Sequence, residues 1–417
     1  MSSNEKVIFV YADWISPSPV LMGKLYAGTV RGKELFSFEY SKDWIQLYDS
    51  SFVFDPDLRL YEGRQYAPDK PLFGVFSDSC PDRWGRLLMK RKEAILAREE
   101  NRKPRALTES DYLLGVYDET RLGALRFSLE EGGPFLSAEK ELCSPPWTTL
   151  RTLESASLAF ESDDGEQEEK WLRQLLAPGS SLGGARPKAS VQAPDDSLWI
   201  VKFPSKHDEW NSGAWEIVVH DLAVKCGLNA PEAKLEIFSE TGGTFLIKRF
   251  DRTKSRRIHF SSAMALLGKT DGDTDGVSYL DIAAFIKSND ASPKQDLKEL
   301  WKRVVFNMAV SNTDDHLRNH GFLLTKSGWT LSPMYDVNPN IYGNALSLNV
   351  SMDDSSVNFK LAIETAQYYD IKIDDAKNIV TDIQKTVSEN WQALADGYGL
   401  SRNAIGRMEP AFAMEYK

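Results

Sequence analysis

The feature that most constrains this chain is a change of hydrophobic period along its length. Near the N-terminus "KVIFVYADW", "VLMGKLYAG" and "ELFSFEY" alternate apolar with polar residues, the two-residue period of half-buried strands, with Gly, Pro and Asp at the breaks. From about residue 279 onward the spacing becomes helical in "SYLDIAAFIKS", "LKELWKRVVFNMAVS", "FKLAIETAQYY" and "DAKNIVTDIQKTVSENWQALADGYG". Between them, "PKASVQAPDDSLWIVKFP" reads as two strands joined by a turn and "WNSGAWEIVVHDLAVKCG" as a helix stopping at Gly227. "TFLIKRFDR" reads as a further strand. Strands first and helices afterwards predict an α+β architecture: a small sheet-rich lobe and a helical lobe flanking a cleft suited to a nucleotide. The chain shows no internal repeat and no low-complexity tract.

Pro81 to Arg105, "PDRWGRLLMKRKEAILAREENRKPR", predicts a helix capped near Asp82. Its basic residues are interleaved with acidic ones, which favours a solvated face over a nucleic-acid patch. An acidic, Gly-containing stretch in "AFESDDGEQEEKWLRQLLAPGSS" marks a boundary near residues 150 to 165, followed by a short amphipathic helix. With 417 residues, 42% of them apolar, the chain can bury two or three lobes. A net charge of −11 excludes a protein that grips nucleic acid along its whole surface, so DNA contact is expected to be local or through a partner. Cys80, Cys143 and Cys226 are too far apart and odd in number, which points to neither a disulfide framework nor a cysteine zinc site. Without a signal-like N-terminus or a membrane-length apolar run, the expectation is a soluble cytoplasmic protein.

The chemistry concentrates in "SNTDDHLRNHGFLLTKSGWTLSPMYDVNP", Ser311 to Pro339. Asp314 precedes Asn319 by five positions, the spacing of a protein-kinase catalytic loop in which Asp accepts the hydroxyl proton and Asn binds magnesium. A hairpin pattern follows and returns the chain to Asp336, a second oxygen ligand of the kind magnesium on a triphosphate requires. A solvated loop is the competing reading. A zinc site on His316 and His320 is a third, but "HLRNH" lacks the glutamate of the zinc-protease signature. His316 is expected to order the loop by hydrogen bonds. Lys202, inside an apolar strand, suits a phosphate-facing cation, and Glu216 on the next helix is its candidate partner. "GSSLGGARPK" offers Gly183 and Gly184 for close backbone approach to phosphate, together with Lys188, Ser180 and Ser181.

In their order along the chain, "PDRWGR", "DYLLGVYDETRLGALRF", "SSLGGARPKA", "WIVKFP", "FLIKRFDR", "NTDDHLRNHGF" and "PMYDVNP" resemble the HipA family of bacterial serine/threonine kinases, the toxins of HipBA-type toxin–antitoxin modules. The resemblance implies a β-rich N-terminal HipA-type domain over 1–150, a kinase N-lobe over 151–260 and a helical C-lobe over 261–417. It implies ATP and Mg2+ as cofactors, Asp314 as catalytic base, Asn319 and Asp336 as magnesium ligands, and Lys202 as the ATP-binding lysine. Ser181, with Ser180 as alternative, matches the serine whose autophosphorylation ejects the Gly-rich loop and switches such kinases off. Phosphoserine adds nearly two negative charges, which accords with expulsion from a triphosphate site. The implied partners are a HipB-like helix-turn-helix antitoxin carrying operator DNA and a protein target such as an aminoacyl-tRNA synthetase. A small-molecule kinase and a catalytically silent corepressor are the alternatives.

Overall fold

In a computed structural model the chain is described over residues 5–47, 53–67, 70–138, 144–162, 175, 186–272 and 276–413. It is mixed α+β, as the periodicities predict, and its compact units do not follow chain order. One unit comprises Met1–His207 with Lys248–Ser261; the other comprises Asp208–Ile247 with Ser262–Lys417.

In the first unit β1 (Lys6–Ala12), β2 (Val20–Val30), β3 (Lys33–Tyr40), β4 (Gln65–Tyr66) and β5 (Leu125–Ser128) form an antiparallel sheet in the order β4-β3-β2-β1-β5. The alternation in the sequence becomes one buried face: Ile8 pairs with Leu25, Leu25 pairs with Phe38, and all three are fully buried. Phe73, Phe76 and Phe127 complete this core, each burial contributing about 2 kcal/mol. The helix foreseen at 81–105 is α1 (Arg83–Glu99), with the Asp82 side chain accepting from the Arg83 N–H. Lys90 and Arg98 on it are exposed, in keeping with the solvated face expected there. Arg86 forms a two-point ion pair with Glu109 at 2.7 and 2.6 Å, at the start of α2 (Glu109–Gly115), and Arg102 pairs with Glu93. The helix α3 (Leu150–Glu161) follows, and Ala156 on it packs in one cluster with Trp84 and Leu88 of α1. The indole N–H of Trp84 donates to the Lys188 carbonyl at 3.0 Å. That carbonyl belongs to β6 (Lys188–Gln192), which pairs antiparallel with β7 (Leu198–Lys202), the two strands expected there.

Lys248–Ser261 joins this unit through buried charge. Arg249 pairs with Asp251 at 2.6 Å and donates to the Thr120 carbonyl at 2.7 Å, while Arg257 pairs with Asp118 at 2.9 Å. "TFLIKRFDR" therefore stops being a strand at Lys248, because Arg249 and Asp251 are drawn into that cluster.

The second unit contains α4 (Ser212–Lys225), capped by Asn211 and ended at Gly227 with φ 68°, as the sequence indicates. The hairpin of β8 (Ala233–Ser239) and β9 (Gly242–Lys248) comes next. The helices that follow are α5 (Tyr279–Asn289), α6 (Pro293–Ala309), α7 (Phe359–Thr365), α8 (Ile373–Gly397) and α9 (Arg402–Phe412). On α8 the residues Ala376, Val380, Ile383, Val387, Trp391 and Ala395 form the buried stripe of an amphipathic helix. Trp391 stacks on Phe412 of α9 at 4.6 Å and meets Trp215 of α4 at 6.5 Å, tying three helices together.

Candidate active site

The helix α6 ends at Ala309, and the chain turns through Ser311 in the left-handed region at φ 50°. Burial then alternates sharply. Asn312, Thr313, Asp315, Asn319 and His320 are buried, whereas Asp314 and His316 are exposed. A single turn of 3-10 helix, Leu317–Asn319, closes the loop: the Asn319 N–H donates to the His316 carbonyl at 2.8 Å, and its side-chain Nδ2 donates to the Asp314 carbonyl at 3.2 Å. With Nδ2 so engaged, Oδ1 is the atom of Asn319 left to act as a ligand. The side chain of His316, expected to order the loop, is exposed and forms no hydrogen bond among the described residues; only its backbone carbonyl takes part in the turn.

Beneath the loop lies a residue the sequence reading passed over. Asp315 is 3% exposed, and its Oδ2 accepts from Tyr279 Oη at 2.7 Å, Asn307 Nδ2 at 2.7 Å and His320 Nε2 at 2.8 Å. These donors come from the first turn of α5, the last turn of α6 and the far end of the loop. Burial, and after it the Asp315 carboxylate, push the Tyr279 phenol well above its ordinary pKa, so it stays a donor. Leaving any one of these donors unpaired in the interior costs about 1–3 kcal/mol. The doublet Asp314-Asp315 was visible in the sequence, but which carboxylate turns inward depends on residues 8 and 36 positions away.

The hairpin after the loop pairs Gly321–Thr325 with Gly328–Leu331, in the register Phe322 to Leu331. Its return brings Asp336 to the loop. Tyr335 Oη donates to the Arg318 carbonyl at 2.6 Å, the Asn338 N–H to Asn312 Oδ1 at 3.3 Å and the Asn340 N–H to the Ser311 carbonyl at 3.0 Å. Asp336 sits half-buried between these braces at φ 58°, a strained backbone that Asp tolerates better than most residues. One amide oxygen and one carboxylate are hard donors that fit Mg2+ on a triphosphate, where phosphates and water fill the other positions. Among the described residues no group of three or more His, Cys, Asp and Glu side chains is placed to hold a metal by itself.

In the first unit, the β6–β7 register sets Lys188 directly opposite Lys202, so the two lysines share one face of the hairpin. Glu216 lies in the second unit, buried on α4. Ser180, Ser181, Gly183 and Gly184 lie outside the described residues.

The family described as "HipA-like C-terminal domain" matches residues 180–391. A Haemophilus influenzae protein named "Putative kinase" is 24% identical over 253 residues, 54% of this chain and 69% of that protein. Two Sinorhizobium fredii proteins with the same description, Y4mE and Y4dM, are 28% and 26% identical, covering 37% and 47% of this chain. The chain spans only 37% and 51% of their own lengths. Among solved structures, a chain of the Shewanella oneidensis complex of HipA, HipB and operator DNA superposes with TM-score 0.67. It is 16% identical, and the match covers 97% of this chain and 96% of that one, which establishes a shared fold.

Proposed function

The chain belongs to the HipA-like C-terminal domain family, and from that premise we propose that it is an ATP- and magnesium-dependent serine/threonine protein kinase, the toxin of a toxin–antitoxin pair. One observation carries the reading: the Asp314–Asn319 loop and the Asp336 segment are braced together by Tyr335, Asn338 and Asn340, the arrangement phosphoryl transfer requires. The exposed Asp314 carboxylate takes the proton of the substrate hydroxyl. The hydroxyl oxygen then bonds to the γ-phosphorus as the bond to the bridging oxygen breaks and ADP leaves. Asn319 Oδ1 and Asp336 would hold Mg2+, which neutralises charge building on the phosphates. Lys202 and Lys188 supply the cationic face for the triphosphate, with Glu216 as the partner proposed for Lys202.

The proposed domains are 1–150, 151–260 and 261–417, with the catalytic residues in the last. Self-inactivation would occur on Ser181, or on Ser180, within the loop that carries Gly183 and Gly184. A HipB-like helix-turn-helix antitoxin bound to operator DNA is the proposed partner, and a cytoplasmic protein such as an aminoacyl-tRNA synthetase the target. Among the described residues no helix is long and apolar enough to cross a membrane.

The test is incubation of purified protein with Mg-ATP, followed by intact mass and peptide mapping, beside Asp314→Ala. Gain of a phosphoryl group on the "GSSLGGARPK" peptide of the parent but not of the variant is the expected result. A parent that starts unmodified and stays so under Mg-ATP overturns the kinase reading in favour of a silent corepressor. Label passing from ATP into small metabolites of a cell extract, and into no protein, assigns a small-molecule kinase instead.

A further inference from the structure

The loop residue adjacent to the proposed base is built as an anchor. Asp314 and Asp315 are consecutive yet face opposite ways, one exposed and one sealed in the interior. The sealed carboxylate gathers Tyr279, Asn307 and His320 onto one oxygen. Those three are themselves fixed. Tyr279 is fully buried, opens α5 behind a capping box of Ser278 and Asp281, and packs edge-on against the His320 ring at 5.7 Å. Asn307 accepts from Asn312 Nδ2 at 3.1 Å, and the His320 carbonyl accepts the Ala263 N–H at 2.7 Å.

We propose that Asp315 is the positioning residue of the phosphoryl-transfer loop, acting through its buried Oδ2 to set the direction of Asp314 and the approach of Asn319; this rests on the kinase reading above. The peptide between Asp314 and Asp315 cannot rotate to re-aim the outer carboxylate without withdrawing the inner one from all three donors at once. The two ends of the loop, Asn312 and His320, reach the same hub through Asn307 and directly. Asp315 thus holds the loop from both sides while touching neither nucleotide nor substrate.

The experiment compares the full chain with Asp315→Ala, Asp315→Asn and Tyr279→Phe, by hydrogen exchange of the peptide spanning residues 311–321 and by steady-state kinetics with Mg-ATP. Asp315→Ala is expected to lower amide protection in that peptide about tenfold and kcat about a hundredfold, with KM for ATP held within about twofold. Asp315→Asn, which keeps an acceptor oxygen, restores part of both, and Tyr279→Phe gives a milder loss of the same kind. Should Asp315→Ala fail to fold, Tyr279→Phe decides the matter. Unchanged loop protection in Tyr279→Phe and Asp315→Asn overturns the anchor. So does a fall in thermal midpoint with parental kcat per folded molecule, the mark of a structural role alone. If the parent transfers no phosphoryl group, the kinase reading falls while loop exchange still shows whether Asp315 anchors the loop.

Discussion

Gly343 offers the sharpest test of how the site is held, because no side chain fits where it lies. A Cβ built there would stand 2.6 Å from both Cβ and Cγ2 of Thr313, the residue before Asp314. Carbon atoms rest at about 3.5–4.0 Å, so Gly343→Ala demands a separation of about 1 Å. Thr313 has little freedom to yield: its Oγ1 accepts from Asn340 Nδ2 at 2.8 Å, and its carbonyl accepts from Ser347 Oγ at 2.8 Å and the Ser347 N–H at 3.1 Å. Either Thr313 moves and carries Asp314 with it, or the Gly343 segment retreats and those bonds lengthen. Overpacking of this kind costs about 1–3 kcal/mol of stability. A displacement of about 1 Å at the base lowers kcat by about a hundredfold. The assay pairs urea unfolding with initial rates of phosphate incorporation from Mg-ATP. Gly406→Ala is the control: it lies in α9, a Cβ there meets nothing within 4 Å, and it should raise stability by up to about 1 kcal/mol at parental kcat. Parental kcat and parental urea midpoint in Gly343→Ala would refute the reasoning.

Two further outcomes test the first unit. Arg121 is fully buried and donates to the carbonyls of Ser79, Leu113, Val116 and Leu136 at 2.8–3.0 Å, and burial pulls its pKa down to about 10. Arg121→Met strands these acceptors and should cost about 4 kcal/mol or more in urea unfolding; a loss below about 1 kcal/mol would show that water takes its place. Burial alone would raise the pKa of Asp251, but Arg249 and Arg252, with the Gly123 N–H, hold it well below the usual carboxylate range. The folded chain therefore stays ionised there while the unfolded chain takes up a proton, so the stabilisation is complete above about pH 4 and fades as pH falls further. Asp251→Asn should cost about 3–5 kcal/mol at neutral pH, and the gap from the parent should narrow in melts at pH 3; a constant gap contradicts the charge argument.

Much of the architecture was legible because it is local. The two-residue period produced β1 to β3, the helical spacing produced α5 to α8, and turn chemistry placed the β6–β7 hairpin and the end of α4 at Gly227. The helix α9, which contains Pro410, was passed over because proline argues against a helix interior. The end of β9 at Lys248 was hidden because the residues after it obey buried charge rather than periodicity.

For the candidate site, the sequence alone determined the residue types, their five-residue spacing and the hairpin that follows, since loop and turn are made by neighbours along the chain. Only the tertiary structure decided that Asp314 faces out and Asp315 in, because the donors that make the difference are Tyr279 and Asn307. It alone set Lys188 opposite Lys202, through strand register, and braced Asp336 through Tyr335 and Asn338. The close approach of Gly343 to Thr313 belongs to the same class: thirty residues separate them in the chain, and only packing brings the Thr313 side chain against the Gly343 backbone.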